Sequence, residues 1–322
     1  MNNTFSIVIC TLNRCESLKK TLEATKKLQG ASFEIIVVDG PSTDNTTKVL
    51  KEYEQDIKVL KNPLPNISVS RNLALESAEG EIIVSVDDDV IPPPNLLIQL
   101  MEIYQNAGDK CAAVGGVVLD KTRNPSVVQF ACGKTNLIGE QKVSRDIQAI
   151  PHNLPDDQNW FVTLMGANAS YKRNALVKIG GFDNFFEYFL EETDVCVRLV
   201  QAGYQIHQTD ITVDHYPAKS HNREDQKHLT CWYSLAKNTT YFALKHGFLK
   251  IPFPILVIRL ALLIFRRCFL RILRLKLTHN LPLPILWKYI KESLEGVYIG
   301  WNAGFALYET GNILPNYSLP NG

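Results

Sequence analysis

The chain has 322 residues, with 34 Lys and Arg against 33 Asp and Glu and a formal net charge of +1. That length accommodates one large α/β domain with an appendage, or two small domains, and buries enough surface to fold without disulfides. The charge balance excludes a general polyanion binder, so no nucleic-acid partner is expected, because no excess of positive charge attracts phosphate backbones.

Chain order begins with FSIVIC at Phe5, preceded by neither a basic segment nor a long apolar run. Export through a cleaved leader is therefore not expected, and a cytoplasmic catalytic part is. The seven cysteines, Cys10, Cys15, Cys111, Cys132, Cys196, Cys231 and Cys268, are scattered and never spaced as a metal knuckle, which suits a reducing compartment. Three apolar runs, 6–10, 34–38 and 81–86, alternate with helix-like stretches at 15–28, 45–55 and 67–78. That order predicts parallel βαβ units. Asn45 is expected to cap the second helix and Gly80 to supply the left-handed turn that ends the third. Ligands of open α/β sheets bind beyond the carboxyl ends of the strands, which here carry residues 11–14, Asp39 and Asp87 to Asp89.

A helix over 94–106 and a strand over 112–119 continue the pattern. From 121 to 157 the periodicity fails, and loops with an irregular strand are expected. Helices are predicted over 173–179 and 193–202, the latter ended by Gly203.

Asp87, Asp88 and Asp89 follow an apolar strand. Three adjacent carboxylates repel one another and are tolerated where a cation compensates, although an acidic loop capping the next helix is equally compatible with the tripeptide. The run EETD at 191–194 is compatible with an acidic first helical turn favoured by the helix dipole, or with catalysis.

Several ordered motifs decide between such readings: SIVICTLNR, EIIVVDGPSTDNT, SVSRNLAL, GEIIVSVDDD, MGANASYKRNAL, IGGFDNFF and LEETDVCVRL. From about Phe5 to about His215 the sequence resembles the inverting glycosyltransferases of family 2, whose nucleotide-binding domain is of the GT-A type. The resemblance implies an α/β, Rossmann-like domain with a mostly parallel central sheet. It also implies metal-dependent transfer of a sugar from a nucleotide-diphosphate sugar, with UDP as the expected nucleotide. Thr11, Asn13, Arg14, Asp39, Arg71, Asp87 and Asp88 would hold the nucleotide sugar, and Asp89 with His215 of VDHYP would hold Mn²⁺ or Mg²⁺. Oxygen ligands suit both ions, and imidazole suits Mn²⁺ better; a packed or surface histidine is the alternative for His215. Gly166, Ala167 and Asn168 would lie beneath the donor sugar and acceptor, and Gly180-Gly181 would form a turn. The catalytic base would come from Glu191-Glu192. The family pattern has Glu-Asp there, so Glu192 stands where aspartate is commoner and Glu191 is its rival; Asp194 would support the site or cap the helix. The QxxRW signature of processive synthases is absent, which favours transfer of a single sugar.

From Gly247 the composition turns apolar and arginine-rich, so residues 1–245 are expected to form the catalytic domain and 246–322 a helical extension. The apolar run 251–265 falls short of the roughly twenty residues that cross a bilayer. An advance of about 100° per residue brings Arg259, Arg266, Arg267, Arg271 and Arg274 within about 140° of one another. Either an interfacial helix on anionic lipid or a core-packed helix with a solvated basic stripe produces that pattern. A second helix is predicted over 285–307, bearing Trp287, Tyr289, Tyr298 and Trp301, and the tail 312–322 is expected to fray. Taken with the family resemblance, which implies a glycan or lipid-linked acceptor in cell-surface polysaccharide or glycolipid synthesis, these features predict a peripheral enzyme on the inner face of the plasma membrane. A catalytically silent nucleotide-sugar sensor or membrane scaffold of the same fold is the alternative.

Overall fold

The structure is a computed structural model that describes residues 4–149, 160–220, 222 and 229–309. Part of the expected loop region, 150–159, and the tail 312–322 lie outside the described residues.

The amino-terminal half alternates as the apolar runs predict: β1 (Phe5–Thr11), α1 (Cys15–Thr25), β2 (Phe33–Asp39), α2 (Thr46–Glu52), β3 (Lys58–Lys61), α3 (Ile67–Ser77) and β4 (Ile82–Ser85). Strands β3-β2-β1-β4 pair in parallel, and both faces of β1 and β2 are buried, which accounts for their unbroken apolar runs. There follow β5 (Val90–Ile91), α4 (Leu96–Asn106), β6 (Cys111–Asp120), β7 (Val127–Phe130), β8 (Cys132–Asn136), β9 (Gln141–Ser144), β10 (Trp160–Thr163), β11 (Ala169–Lys172), α5 (Arg173–Lys178), α6 (Glu191–Gln201) and β12 (Gln205–His215). The central sheet runs β3-β2-β1-β4-β11-β6-β12-β5, with β7 paired to β6. Because β11 is antiparallel to both neighbours and β5 and β7 are antiparallel edges, the sheet is mixed beyond β4.

Two expected helix ends differ in mechanism. Asn45 occupies the cap position of α2 but makes no side-chain cap bond; Asp44 accepts instead from the Thr46 N–H at 2.9 Å. Gly80 does not turn left-handed. It is required because a Cβ there would lie 2.5 Å from the Phe5 carbonyl carbon and the Ser6 nitrogen, so the bare backbone lets α3 close against β1. Gly180 and Gly181 are left-handed at φ 80° and 63°, and Gly203 ends α6 at φ 86°, as predicted.

The region expected to be loops contains β7 to β9, and β8 lies between β9 and β10 in a separate antiparallel sheet. Its strands, CGKTN and QKVS, are short and polar, so they carry no apolar alternation.

The carboxyl-terminal part is α7 (Trp232–Gly247), α8 (Phe253–Ile264), a π-helical turn (Phe265–Phe269), α9 (Leu270–His279) and α10 (Leu283–Glu309). The expected division at 245/246 falls inside α7, a helix whose burial on nearly every side hides any amphipathic period. Helix α10 lies along α7 through Gly296, Gly300 and Gly304; a Cβ on Gly300 would sit 2.3 Å from the Lys237 carbonyl oxygen. Tyr289 packs against Trp232 and Trp301 against Phe253 and Phe305, whereas Trp287 and Tyr298 are exposed.

Leu260, Leu263, Ile264 and Leu275 are buried against the rest of the chain. A second stripe, Ile255, Ile258, Leu262, Phe265, Leu273 and Leu277, faces outward beside Arg259, Arg266, Arg271 and Arg274. Arg267 departs from the predicted basic face. The π turn inserts a residue into the helical phase and swings it inward, where it donates to the Thr239 hydroxyl and the Gly139 carbonyl, both at 2.9 Å. No helix among the described residues is long and apolar enough to cross a membrane.

Candidate active site

Beyond the carboxyl ends of β1, β2 and β4 opens a cleft of about 420 Å³. Thr11, Arg14, Arg71, Asp87, Asp88, Asp89, Gly166, Ala167, Glu191, Glu192 and His215 all line it, drawn from segments separated by up to two hundred residues. Asn13, Asp39, Asn168 and Asp194 do not line it.

Asp87 and Asp89, on the turn after β4, and His215, at the end of β12, present donor atoms within 4.8 Å of one another. The β12–β5 pairing brings them together, since His215 pairs with Val90, the residue after Asp89. His215 Nε2 lies 3.0 Å from Asp89 Oδ1, and Nδ1 lies 2.7 Å from Gln129 Oε1. With Nδ1–H donated to Gln129, Nε2 faces Asp89: a charged ring donates to that carboxylate, and a neutral one would turn its Nε2 lone pair toward a metal. Two carboxylates and one imidazole form a donor set that fits Mn²⁺ and, through the oxygens, Mg²⁺. Gln129, on β7, carries no sequence signal.

Asp88 turns toward the loop after β1, accepting from the Thr11 hydroxyl and from Arg14 Nη1, each at 2.8 Å. The same Arg14 nitrogen donates to Asp89 Oδ2 at 2.8 Å. Burial pushes Asp88 up to about 7, only partly opposed by Arg14. Burial acts on Asp89 in the same sense, but the hydrogen bond and charge of His215, the charge of Arg14 and the Ala218 N–H together hold it at about 2. Asp87 is raised by burial and by Asp89. Cys10, in the same cleft, is pushed up by burial to about 12, so its thiol is a poor nucleophile.

Asn13 organises the loop beside the cleft. It is left-handed at φ 56°, and its side-chain oxygen accepts from the Thr43 and Asp44 N–H groups at 2.7 and 3.2 Å. Asp39 is fully buried at the end of β2, accepting from Ser42 at 2.6 Å and paired with Lys61.

Glu191 and Glu192 occupy the first turn of α6. Arg71, expected near the nucleotide, bridges them: Nη1 donates to Glu191 at 3.2 Å and Nη2 to Glu192 at 2.9 Å. The Glu191 side chain is 5% exposed and that of Glu192 17%, so Glu192 is the one open to the cleft. Burial, followed by repulsion from Glu192, pushes Glu191 well above the usual carboxylate range, and its Oε2 has no hydrogen-bond partner. Gly166 must lack a side chain, because a Cβ would lie 2.0 Å from Glu192 Oε1 and 2.5 Å from Arg71 Nη2.

The two remaining predicted residues hold the frame. Asn168 Nδ2 donates to Val117 O at 3.0 Å and Ile211 O at 2.9 Å, across the bulge in β12. Asp194 accepts from Arg198 at 2.7 Å and pairs with Lys245 and His246 of α7 at 2.7 and 2.8 Å. The charges of Arg198 and Lys245, with the His246 hydrogen bond, hold it well below the usual carboxylate range despite full burial.

The sequence model described as "Glycosyl transferase family 2" matches residues 6–179. The glucosyl-dolichyl phosphate glucuronosyltransferase of Haloferax volcanii is 25% identical over 210 residues, covering 61% of this chain and 63% of that protein. The O-antigen chain rhamnosyltransferase WbaN of Salmonella anatum is 25% identical over 209 residues, covering 63% and 62%. Each match therefore spans less than two thirds of the relative's own length. Among solved structures, the mannosyltransferase PcManGT of Pyrobaculum calidifontis, in complex with GDP-Man and Mn²⁺, superposes with a TM-score of 0.56 at 16% identity, covering 97% of this chain and 88% of that one. GalNAc-T7 with UDP, GalNAc and Mn²⁺ gives 0.56 at 15% identity, covering 78% and 52%. The fold is of the GT-A type, and with more than half of its length matched by the family model, the chain belongs to glycosyltransferase family 2.

Proposed function

We propose that this enzyme moves one sugar from a nucleotide-diphosphate sugar, with UDP as the expected nucleotide, to a glycan or lipid-linked acceptor in cell-surface polysaccharide or glycolipid synthesis. The observation that carries the proposal is the convergence, in one cleft, of a metal-competent trio and an arginine-bridged acidic pair. Asp87, Asp89 and His215 would hold Mn²⁺ or Mg²⁺. A bound cation supplies positive charge against the diphosphate as it leaves. Thr11, Arg14 and Asp88 line the nucleotide side, with Asp39 and Asn13 shaping the loops behind it.

Glu192 is the proposed general base. It is the more open of the pair, while Glu191 is raised by burial above the usual carboxylate range and shares Arg71. Arg71 then acts on the pair's orientation rather than on phosphate. Inversion at the sugar carbon requires a base for the acceptor's proton, and the bare backbone at Gly166 leaves room for the Glu192 carboxylate and the Arg71 guanidinium that holds it. Asn168 and Asp194 support the donor and acceptor region from behind.

The extension from 246 to 322 is proposed to dock on an anionic membrane surface at the cytoplasmic face. Support comes from the outward apolar stripe flanked by arginines. The relatives named for a dolichyl-phosphate-linked substrate and for the O-antigen chain support a lipid-linked acceptor.

The test is transfer to lipid-linked glycan acceptors in detergent by Glu192→Gln and Glu191→Gln. Glu192→Gln is expected to keep donor and metal affinity and to lose on the order of 10²–10⁴ in rate. Near-normal transfer by both single variants and by the double variant would reject the acidic pair.

A further inference from the structure

The turn into α6 adopts a conformation that its residues disfavour. Phe189 and Leu190 are both left-handed, at φ 76° and 74°, a region where bulky L-residues persist only if their surroundings hold them there. Leu190 is the flanking residue of α6, so these torsions set the direction in which Glu191 and Glu192 leave the turn. The Leu190 side chain is buried with Phe186, Val197 and Phe242, and Phe189 lines the cleft.

One side chain grips the peptide groups of this turn from behind. Asn238, on α7 and fully buried, donates from Nδ2 to the Tyr188 carbonyl at 2.6 Å and to the Phe189 carbonyl at 3.1 Å. Those carbonyls belong to the two peptide units that flank Phe189. The Asn238 Oδ1 is buried without a hydrogen-bond partner, a cost that an apolar residue of similar volume would avoid. Space-filling would therefore favour leucine, whereas an amide matches a need for two donors. Its neighbour Lys237 donates to the Phe185 carbonyl at 3.0 Å, so the contact is continuous along the loop.

We infer that Asn238 is a positioning residue for the acidic pair: its amide fixes the left-handed Phe189–Leu190 turn and, through it, the aim of Glu191 and Glu192. The catalytic consequence rests on the proposed role of that pair; the clamp on the turn does not. Since α10 packs on α7 through its glycine stripe, the helix that anchors the extension also sets the catalytic turn.

The test compares full-length wild type, Asn238→Leu, Phe189→Gly and the double variant. Hydrogen–deuterium exchange over 186–195 reads the turn, UDP and GDP titrations with Mn²⁺ read the nucleotide side, and transfer kinetics read the pair. Asn238→Leu should speed exchange in 186–195 while β1 and β4 stay protected. It should leave nucleotide affinity within about 3-fold and lower kcat on the order of 10²-fold with little change in the donor KM, as a misplaced catalytic group does. Glycine takes positive φ without strain, so adding Phe189→Gly should recover part of the loss seen in Asn238→Leu. Unchanged exchange in 186–195, or exchange raised equally throughout the chain, would overturn the inference. Faster local exchange with full kcat would refute the link from turn to chemistry. Activity retained by Glu191→Gln and Glu192→Gln would separately reject the base assignment and leave the exchange result standing.

Discussion

Asp88 shows how one side chain can tie the cleft to pH. Its carboxyl titrates near 7 in the folded chain, above the ordinary carboxylate value, chiefly because it is buried. Between that ordinary value and about 7 the folded chain holds a proton that the unfolded chain has lost, so metal-free stability falls as pH rises through this window. Asp88→Asn removes the titration, and its amide can still donate to Thr11 and accept from Arg14. In the presence of a chelator, its gain in melting temperature should be larger at pH 8 than at pH 5; equal gains at both would contradict this origin. The acidic residues were legible in the sequence because contiguous like charges stand out after an apolar strand. Gln129 and Asn238 were not: a lone amide gives no pattern, and the partner of Gln129 lies 86 residues away. The glycine at 166 was legible through its motif, although its reason, the approach of Glu192 and Arg71, is visible only in three dimensions.

Helices and strands were readable where burial leaves a period. The buried parallel strands β1, β2 and β4 and the helices between them follow from apolar runs bounded by polar turns, and the cleft at their carboxyl ends follows from topology. Helix α7 escaped because it is buried almost all round, carries the adjacent β-branched pair Thr239-Thr240 and presents no polar face. The strands β8 and β9 escaped because they are short and polar. The α7–α10 contact depends on absent side chains. A leucine at Gly300 would place its Cβ 2.3 Å from the Lys237 carbonyl oxygen, and backbone cannot move aside as a flexible side chain can. Gly300→Leu is expected to cost about 1–3 kcal/mol or more, as overpacking does. Thermal unfolding checks the cost, and an unchanged melting temperature would show that α10 does not depend on this close packing.

At the scale of the whole molecule, the extension presents apolar groups on two faces, and one of them is buried against other described residues. Leu260, Leu263 and Ile264 face inward, while Ile258 and Leu262, 61% and 58% exposed, face out among arginines. The double substitution Ile258→Glu with Leu262→Glu should leave the melting temperature nearly unchanged and weaken sedimentation with phosphatidylserine-containing vesicles by at least about tenfold, through lost apolar burial and added repulsion. Equal sedimentation of both proteins would remove the membrane from the account. Truncation at 245 is a poorer test, because it deletes His246, which pairs with buried Asp194, and strips α10 from α7. The central claim is metal-dependent use of a nucleotide sugar, and a panel of UDP- and GDP-sugars, measured by thermal shift with and without Mn²⁺, tests it most directly, since a ligand that binds only the native state raises its stability. The account predicts that at least one donor raises the melting temperature only when Mn²⁺ is present, and that Asp89→Ala, which removes a carboxylate of the Asp87–Asp89–His215 trio, abolishes that rise while remaining folded. A donor-induced shift of the same size without metal, or one that survives in Asp89→Ala, would contradict it.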